Sequence, residues 1–429
     1  NRSRWIPILG GYCMKRIYKY SIVLVFIFLS SIITKGYNND TKAIEQCVNS
    51  FFKDYFDAYS FQDNSKAIEK AKSNEHLYAF QKAHEVEIRF LKELDLTYKD
   101  IKYRVDFFTI EINKQSARVS ALADMTFKYN NSKSIESGIY NIGFDFILRK
   151  DLGQWHIEKV ESDYEKYTMF MEDVNRKRLK AYEDGFRKEM SIGEAAEAVF
   201  NEHMKRIYEA KAKKAAISKG FFRRRVDEDK RIYSGKTEGY SPEIGVEYAL
   251  KFAESPVAER FFYTTKANCT NFVSQCVWAA LGGYDSRNPN KVIENIRKRY
   301  KMTDKWYGNT GGGTPSWENV EKFYSYFTGD DKMRGINGYV ENNEQLAVKL
   351  DPAMIKEGEV LQFRKGNKGP YTHSVYVTAN INNGDFSGIY ICQQSTDWKN
   401  RNLEDLILSP GWGGYDMCYM RRIWFKSKV

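Results

Sequence analysis

Two residues in the C-terminal half of this sequence have the types and setting for nucleophilic catalysis. Cys269 opens the stretch Asn268-Cys269-Thr270-Asn271-Phe272-Val273-Ser274-Gln275-Cys276-Val277-Trp278-Ala279-Ala280-Leu281-Gly282-Gly283, which reads as a helix with Asn268 as cap, an apolar stripe through Phe272, Val273, Cys276 and Ala280, and a Gly-Gly stop. A thiol at a helix start meets unpaired N–H groups and the positive end of the dipole, which lower its pKa and raise the thiolate fraction. Such a thiolate attacks a carbonyl carbon if a base moves the protons. His373, on the strand-like run Thr372 to Thr378, is the only histidine after His203, so no other histidine in this half can serve. The bland alternatives are a small buried cysteine and a satisfied strand histidine.

A third residue depends on the register of one hairpin. Asn383-Gly384 is a strong two-residue turn signal, with Ile389 to Gln394 as the return strand. That turn sets Gln394 directly opposite His373, with Cβ atoms about 5 Å apart, where its carbonyl would fix the imidazole tautomer. A longer loop changes the pairing, and a one-residue slip turns Gln394 to the other face, leaving Asp397 or Asn400 as alternates. Asn268 carries two candidate roles, as helix cap and as an oxyanion donor beside the Cys269 backbone N–H.

With those residues in hand, the segment from Tyr240 to about Leu406 resembles the "Putative amidase domain" family, whose papain-like fold is shared with the NlpC-type and CHAP peptidoglycan hydrolases. The residues that carry the resemblance are Tyr240, Tyr248-Ala249, Cys269-Thr270-Asn271-Phe272-Val273-Ser274-Gln275-Cys276, Gly358-Glu359-Val360-Leu361-Gln362-Phe363 and His373-Ser374. The resemblance implies a cysteine amidase or peptidase with Cys269 as nucleophile and His373 as base. Two departures stand out. An acidic residue commonly precedes the family's cysteine, where this chain has Asn268. The family often has a histidine-threonine pair in the return strand, where this chain has Gln394-Ser395, so a neutral amide takes the third role and stabilises imidazolium less than a carboxylate would.

The elements that must position this pair come after a long N-terminal half. Residues 1–13 are expected to be upstream or non-native sequence, and 14–36 a secretory signal, from the basic Met14-Lys15-Arg16 and the apolar run up to Ile33. An uncleaved anchor is the alternative, although the run is short of the roughly 20 residues of a membrane span. Residues 40–163 are expected to form an α+β domain of cystatin/NTF2-like element order: a helix with Ile44, Val48, Phe52, Phe56 and Tyr59 on one face and Asp40 as cap, a second helix over 64–95, then four strands at 101–112, 117–129, 139–149 and 155–160. A charged helical linker is expected over 164–239, ending in Arg223-Arg224-Arg225, and the papain-like domain over 240–429 with Ser241 and Pro242 starting its first helix. The fold class is therefore α+β.

With 42% hydrophobic and 29% charged residues, the composition is that of a globular chain and excludes wholesale disorder. Lys and Arg outnumber Asp and Glu by 67 to 56, for a net charge of +11, which favours an anionic setting. Charge alone leaves nucleic acid, a cell wall and a membrane surface open. The secretion signal and the amidase resemblance together favour peptidoglycan peptides as substrate, contact of the basic linker with an anionic wall polymer, an extracytoplasmic location and no nucleic-acid partner. The six cysteines form no CxxC pair and no Cys/His cluster at zinc spacing, so neither a metal nor a cofactor is expected. Cys392 and Cys418 are read either as a disulfide or as free buried thiols. The rival functions are a non-catalytic wall-binding protein with a degenerate papain-like domain, and a secreted cysteine protease acting on proteins.

Overall fold

The computed structural model describes residues 39–132, 134–183, 190–221, 239–262, 268–309, 311–329, 338–381 and 384–425. The segments read as upstream sequence and secretory signal, the run Arg223-Arg224-Arg225 and the turn residue Asn383 lie outside the described residues.

The first helix, α1 (Asn39–Phe61), buries the stripe Ile44, Val48, Phe52, Phe56 and Tyr59. Asp40 sits inside its first turn and does not cap it; its carboxylate accepts from Lys150 Nζ at 2.5 Å and Trp155 Nε1 at 3.1 Å. The expected second helix is broken in two, α2 (Ser65–Ala71) and α3 (Glu75–Glu93), because the Asn74 side chain accepts from the N–H groups of His76 and Leu77 and starts a new helix there. An antiparallel meander follows: β1 (Tyr98–Asn113), β2 (Ser116–Tyr129), β3 (Ser137–Asp151) and β4 (Gln154–Ser162). Its alternating apolar residues face the helices, with Phe144 edge-on to Phe52 at 4.9 Å. The chain is α+β, as its pattern implies.

The segment expected to be a charged helical linker does hold two helices, α4 (Glu165–Glu183) and α5 (Ile192–Phe221), but they pack against the core. Phe170, Val174, Ala195, Ala196, Val199 and Ile207 are buried there. The C-terminal part begins with α6 (Pro242–Glu254), α7 (Asn268–Trp278) and α8 (Pro289–Arg297). A short hairpin, β5 (Gly308–Asn309) and β6 (Gly312–Gly313), precedes α9 (Pro315–Glu318), α10 (Val320–Thr328) and β7 (Gly338–Glu341). The remaining elements are β8 (Val360–Lys365), β9 (His373–Asn380), β10 (Ile389–Gln393), β11 (Asp397–Asn402), α11 (Leu403–Leu408) and β12 (Cys418–Phe425).

The strands of both halves join one ten-stranded sheet in the order β1-β2-β3-β11-β10-β9-β8-β12-β7, with β4 paired to β3. The long β3 makes this possible by dividing one of its edges. Its end from Phe144 to Asp151 pairs with β4, while Gly138, Ile139 and Tyr140 pair with Lys399, Trp398 and Asp397 of β11. A register shift in β2 opposite Asn141, which takes φ +57°, marks the changeover.

One face of the C-terminal strands carries α6 and α7 over Val360, Tyr376, Cys392 and Ile423. The other face, with Phe363, Val375, Val377, Ile391 and Trp398, continues the core of the N-terminal half. Cys392 and Cys418 belong to these opposite cores, and both are free thiols.

Charges are buried where the halves meet. Glu87 accepts from Tyr59, Tyr164 and Lys166 at 2.8, 2.7 and 3.1 Å. Lys166 also reaches Asp405 at 3.3 Å, and Arg401 reaches Glu165 at 2.6 Å. Each ion has an opposite partner, without which its burial would cost several kcal/mol.

A fragment starting at residue 239 would bare Trp398, Tyr390, Leu403 and Leu406 of the shared core, forfeiting roughly 1.5–3 kcal/mol for each. Together that rivals the ~5–15 kcal/mol stability of a whole domain. Calorimetry of residues 39–429 should therefore show one cooperative transition, and the 239–429 fragment alone should show none.

Candidate active site

Cys269 lies in the first turn of α7 and is 6% exposed. The helix continues through Trp278, widens over Ala279–Gly283 and ends where Gly282 takes φ +93°, the left-handed conformation that a helix stop requires. Its apolar side, Phe272, Val273, Cys276 and Val277, is fully buried on β9 and α6. That packing leaves the N-terminal turn pointing at the start of β9, where His373 stands.

His373 is the neighbour that most favours an ionised Cys269, and Cys269 the one that most favours a charged His373. Burial pushes the Cys269 thiol up, but the hydrogen bond and charge of His373, the Ser374 N–H and the Thr270 hydroxyl outweigh it and hold the thiol below its ordinary value. Burial pushes His373 down, and the bond and charge of Cys269, the Gln393 side chain and the more distant Glu165 outweigh that and raise it. The two shifts together favour a thiolate facing an imidazolium, titrating as a pair.

The residue that orients the imidazole is Gln393, whose Oε1 lies 3.2 Å from His373 Nε2. A carbonyl oxygen can only accept, so Nε2 carries a proton and Nδ1 is left for the thiol. Gln394, the residue expected in this role, is turned to the other face. Its Oε1 accepts from Asn268 Nδ2 at 2.7 Å and its Nε2 donates to the Phe252 carbonyl at 2.8 Å. The cause is the register. Asn380 pairs with Ile389, a register two places from the one a two-residue turn at 383–384 would give, and a shift follows between Tyr390 and Ile391. Cys392 then opposes Tyr376, which gives Gln393 the face of His373 and Gln394 that of Ser374.

The other candidates are engaged elsewhere. Asp397 holds Arg260 Nη2 at 2.6 Å and Asn141 Nδ2 at 2.9 Å, fastening β11 to β3 and to the loop after α6. Asn400 accepts from the Thr378 hydroxyl at 2.8 Å. Asn268 is the first residue of α7, and its amide spans Gln394 and Asn271, whose Nδ2 donates to Asn268 Oδ1 at 2.8 Å. Among the described residues no cluster of three or more His, Cys, Asp or Glu is placed to hold a metal ion.

Sequence reasoning did not single out Gln393 or Trp412. Trp412 lies in the loop after α11, its ring 5.7 Å from that of His373, where Gly411 lets α4 approach: a Cβ there would come within 2.5 Å of Met169 Cε. Gln393 adjoins the residue that was chosen and was lost only to the register. Tyr371 and Val320 pack beside Cys269.

Comparison with known proteins bears on this part of the chain. Residues 239–419, which contain Cys269, His373 and Gln393, match the model of the family described as "Putative amidase domain". No curated protein matches the chain. Two solved structures are similar to part of it. A putative scytalone dehydratase from Novosphingobium aromaticivorans DSM 12444 is 12% identical, covering 29% of this chain and 87% of its own, with a TM-score of 0.20. A domain of unknown function with a cystatin-like fold from Nostoc punctiforme PCC 73102 is 12% identical, covering 33% and 90%, with a TM-score of 0.17.

The two glutamines should separate by substitution. Gln393→Ala removes an acceptor that raises His373, so imidazolium is lost at lower pH and the alkaline limb of Cys269 alkylation by iodoacetamide moves down. Gln394→Ala should instead appear mainly in the melting curve, at a cost of about 1–3 kcal/mol for the buried groups it leaves unpaired.

Proposed function

We propose that this protein is a cysteine hydrolase that cleaves an amide bond through a thioester on Cys269, in peptidoglycan peptides outside the cell. The observation that carries the reading is a buried thiol in the first turn of α7 facing an imidazole whose Nε2 is held by Gln393 at 3.2 Å, a setting that lowers the thiol and raises the imidazole, inside the segment that matches the amidase model. In the first half-reaction Cys269 Sγ attacks the carbonyl carbon, the C–S bond forms, and the C–N bond breaks as His373 gives its proton to the leaving amine. In the second, His373 takes a proton from water, the resulting hydroxide displaces the sulfur, and a carboxylic acid leaves. Gln393 keeps the Nε2 proton in place through both halves, so Nδ1 alone exchanges protons with sulfur, amine and water.

The wall assignment rests on the signal-like residues 14–36, the net charge of +11 and the kinship of amidase-like folds with wall hydrolases. It makes two demands. Incubated with purified cell wall, the protein should release peptide fragments detectable by mass spectrometry, and Cys269→Ala should release none. Casein should be left intact; release of peptides from casein and not from wall rejects the substrate assignment and supports a protein-directed protease. No labelling of Cys269 by iodoacetamide near neutral pH, or labelling indifferent to His373→Ala, sinks the enzyme reading in favour of a binding protein.

A further inference from the structure

Beneath the site a chain of fully buried polar side chains runs from β12 to the nucleophile. Arg421 Nε lies 2.8 Å from Gln362 Oε1, and Gln362 Nε2 lies 3.1 Å from the Val320 carbonyl and 3.2 Å from Ser374 Oγ. Ser374 Oγ lies 3.1 Å from Thr270 Oγ1, and Thr270 Oγ1 lies 3.8 Å from Cys269 Sγ. Gln362, Ser374 and Thr270 have no solvent exposure, and Arg421 has 2%.

The far end sets the direction of the first bonds in this chain, and the need of each buried hydroxyl for an acceptor orients the rest. A guanidinium only donates, so the Gln362 oxygen must face Arg421. The amide nitrogen then has two protons, one for the Val320 carbonyl and one for Ser374. Ser374 therefore accepts from Gln362; Thr270 Oγ1 is its other side-chain partner among the described residues, and the single Ser374 proton is satisfied by pointing there. Thr270 accepts that proton, so its own hydroxyl hydrogen is turned to the sulfur. Hydrogen bonds donated to an ion favour the ion and are stronger than neutral ones.

We propose that Arg421, Gln362, Ser374 and Thr270 form a one-way hydrogen-bond relay that points the Thr270 hydroxyl at Cys269 and stabilises its thiolate independently of His373. The inference rests on Cys269 being the nucleophile. These four are positioning residues, and only Thr270 touches the reacting atom. Glu321 anchors the far end, with Oε2 at 2.9 Å from Arg421 Nη2, while Arg421 lies between the rings of Tyr324 and Tyr371 at 3.6 and 4.0 Å. Those contacts keep the guanidinium fixed, and with it the sense of the first bonds. Among the described residues, the charged and titratable groups beside Cys269 are His373 from β9 and Tyr371, which packs against it.

The experiment is the pH dependence of Cys269 alkylation by iodoacetamide in the full chain, for Thr270→Val, Thr270→Ser and His373→Ala. Loss of one hydrogen bond to the thiolate should raise the midpoint by about half a unit to one unit in Thr270→Val, a roughly threefold to tenfold loss of thiolate below the midpoint. Thr270→Ser keeps the hydroxyl and should keep the wild-type midpoint, whatever either change does to the melting temperature. If Thr270→Val does not fold, Ser374→Ala frees the Thr270 hydroxyl from its orientation and should raise the midpoint by a smaller amount. A wild-type midpoint in the folded variant, alongside a shifted one in His373→Ala, overturns the relay and leaves the Cys–His reading standing. An unchanged midpoint in His373→Ala overturns the Cys–His reading and leaves the relay to be decided by Thr270→Val alone.

Discussion

Taking the sulfur of Cys269 out of water penalises its ionised form, and the surrounding structure offsets that penalty. A thiol that were merely buried would be inert, as Cys276, Cys392 and Cys418 show: burial pushes all three up, Cys392 to about 12. Cys269, 6% exposed where those three have no exposure, is nearly as enclosed and is shifted the other way. The difference lies in the donors that converge on it: an imidazole from β9, the next backbone N–H on that strand, and a hydroxyl from its own helix. None of these acts at a distance, so the helix and the strand must be held together to a fraction of an ångström.

The rigidity comes from the sheet and from what covers it. Gln362 of β8 bridges the first carbonyl of α10 and the residue after His373, while Asn268, Asn271 and Gln394 tie the start of α7 to α6 and the end of β10. On the opposite face the N-terminal half supplies the cover. Its β3 pairs with β11, its helices bury Trp398, and α4 closes on Gly411 beside the tryptophan that flanks His373. The N-terminal half thus serves the site structurally, since the strands that present His373 and Gln393 would be bare on one face without it.

The buried ions at this junction serve specificity of arrangement more than strength. Glu87, Lys166, Asp405, Arg401 and Glu165 come from both halves, and each satisfies a partner that would otherwise be a lone charge in the core. Such a network is costly to assemble and far costlier to break at one member, so it tolerates only the docking in which all members meet. Glu165 also adds its negative charge to those that favour imidazolium at His373, which makes the junction an electrostatic neighbour of the site as well as its support.

That Cys269 and His373 would face each other was legible from residue type and local context, because a helix start and an isolated strand histidine are short-range features, although Asn268 turned out to be the first residue of the helix and its side chain bonds Asn271 and Gln394 in place of capping it. So were the helix stop at Gly282, the alternation of β2 and β3, and the stripe of α1. The third residue was legible only to within one position. The choice between Gln393 and Gln394 turns on a strand register, and that register carries an offset and a shift that the Asn-Gly pair did not announce. The union of the two halves was not legible at all. Nothing in the spacing of β3 says that half of its edge is reserved for a strand more than two hundred residues later, or that the charged run after Tyr164 packs against the core instead of tethering two domains. Local sequence determined which side chains could do chemistry. Tertiary pairing decided which of them face one another, because a strand's two faces differ by a single residue of register.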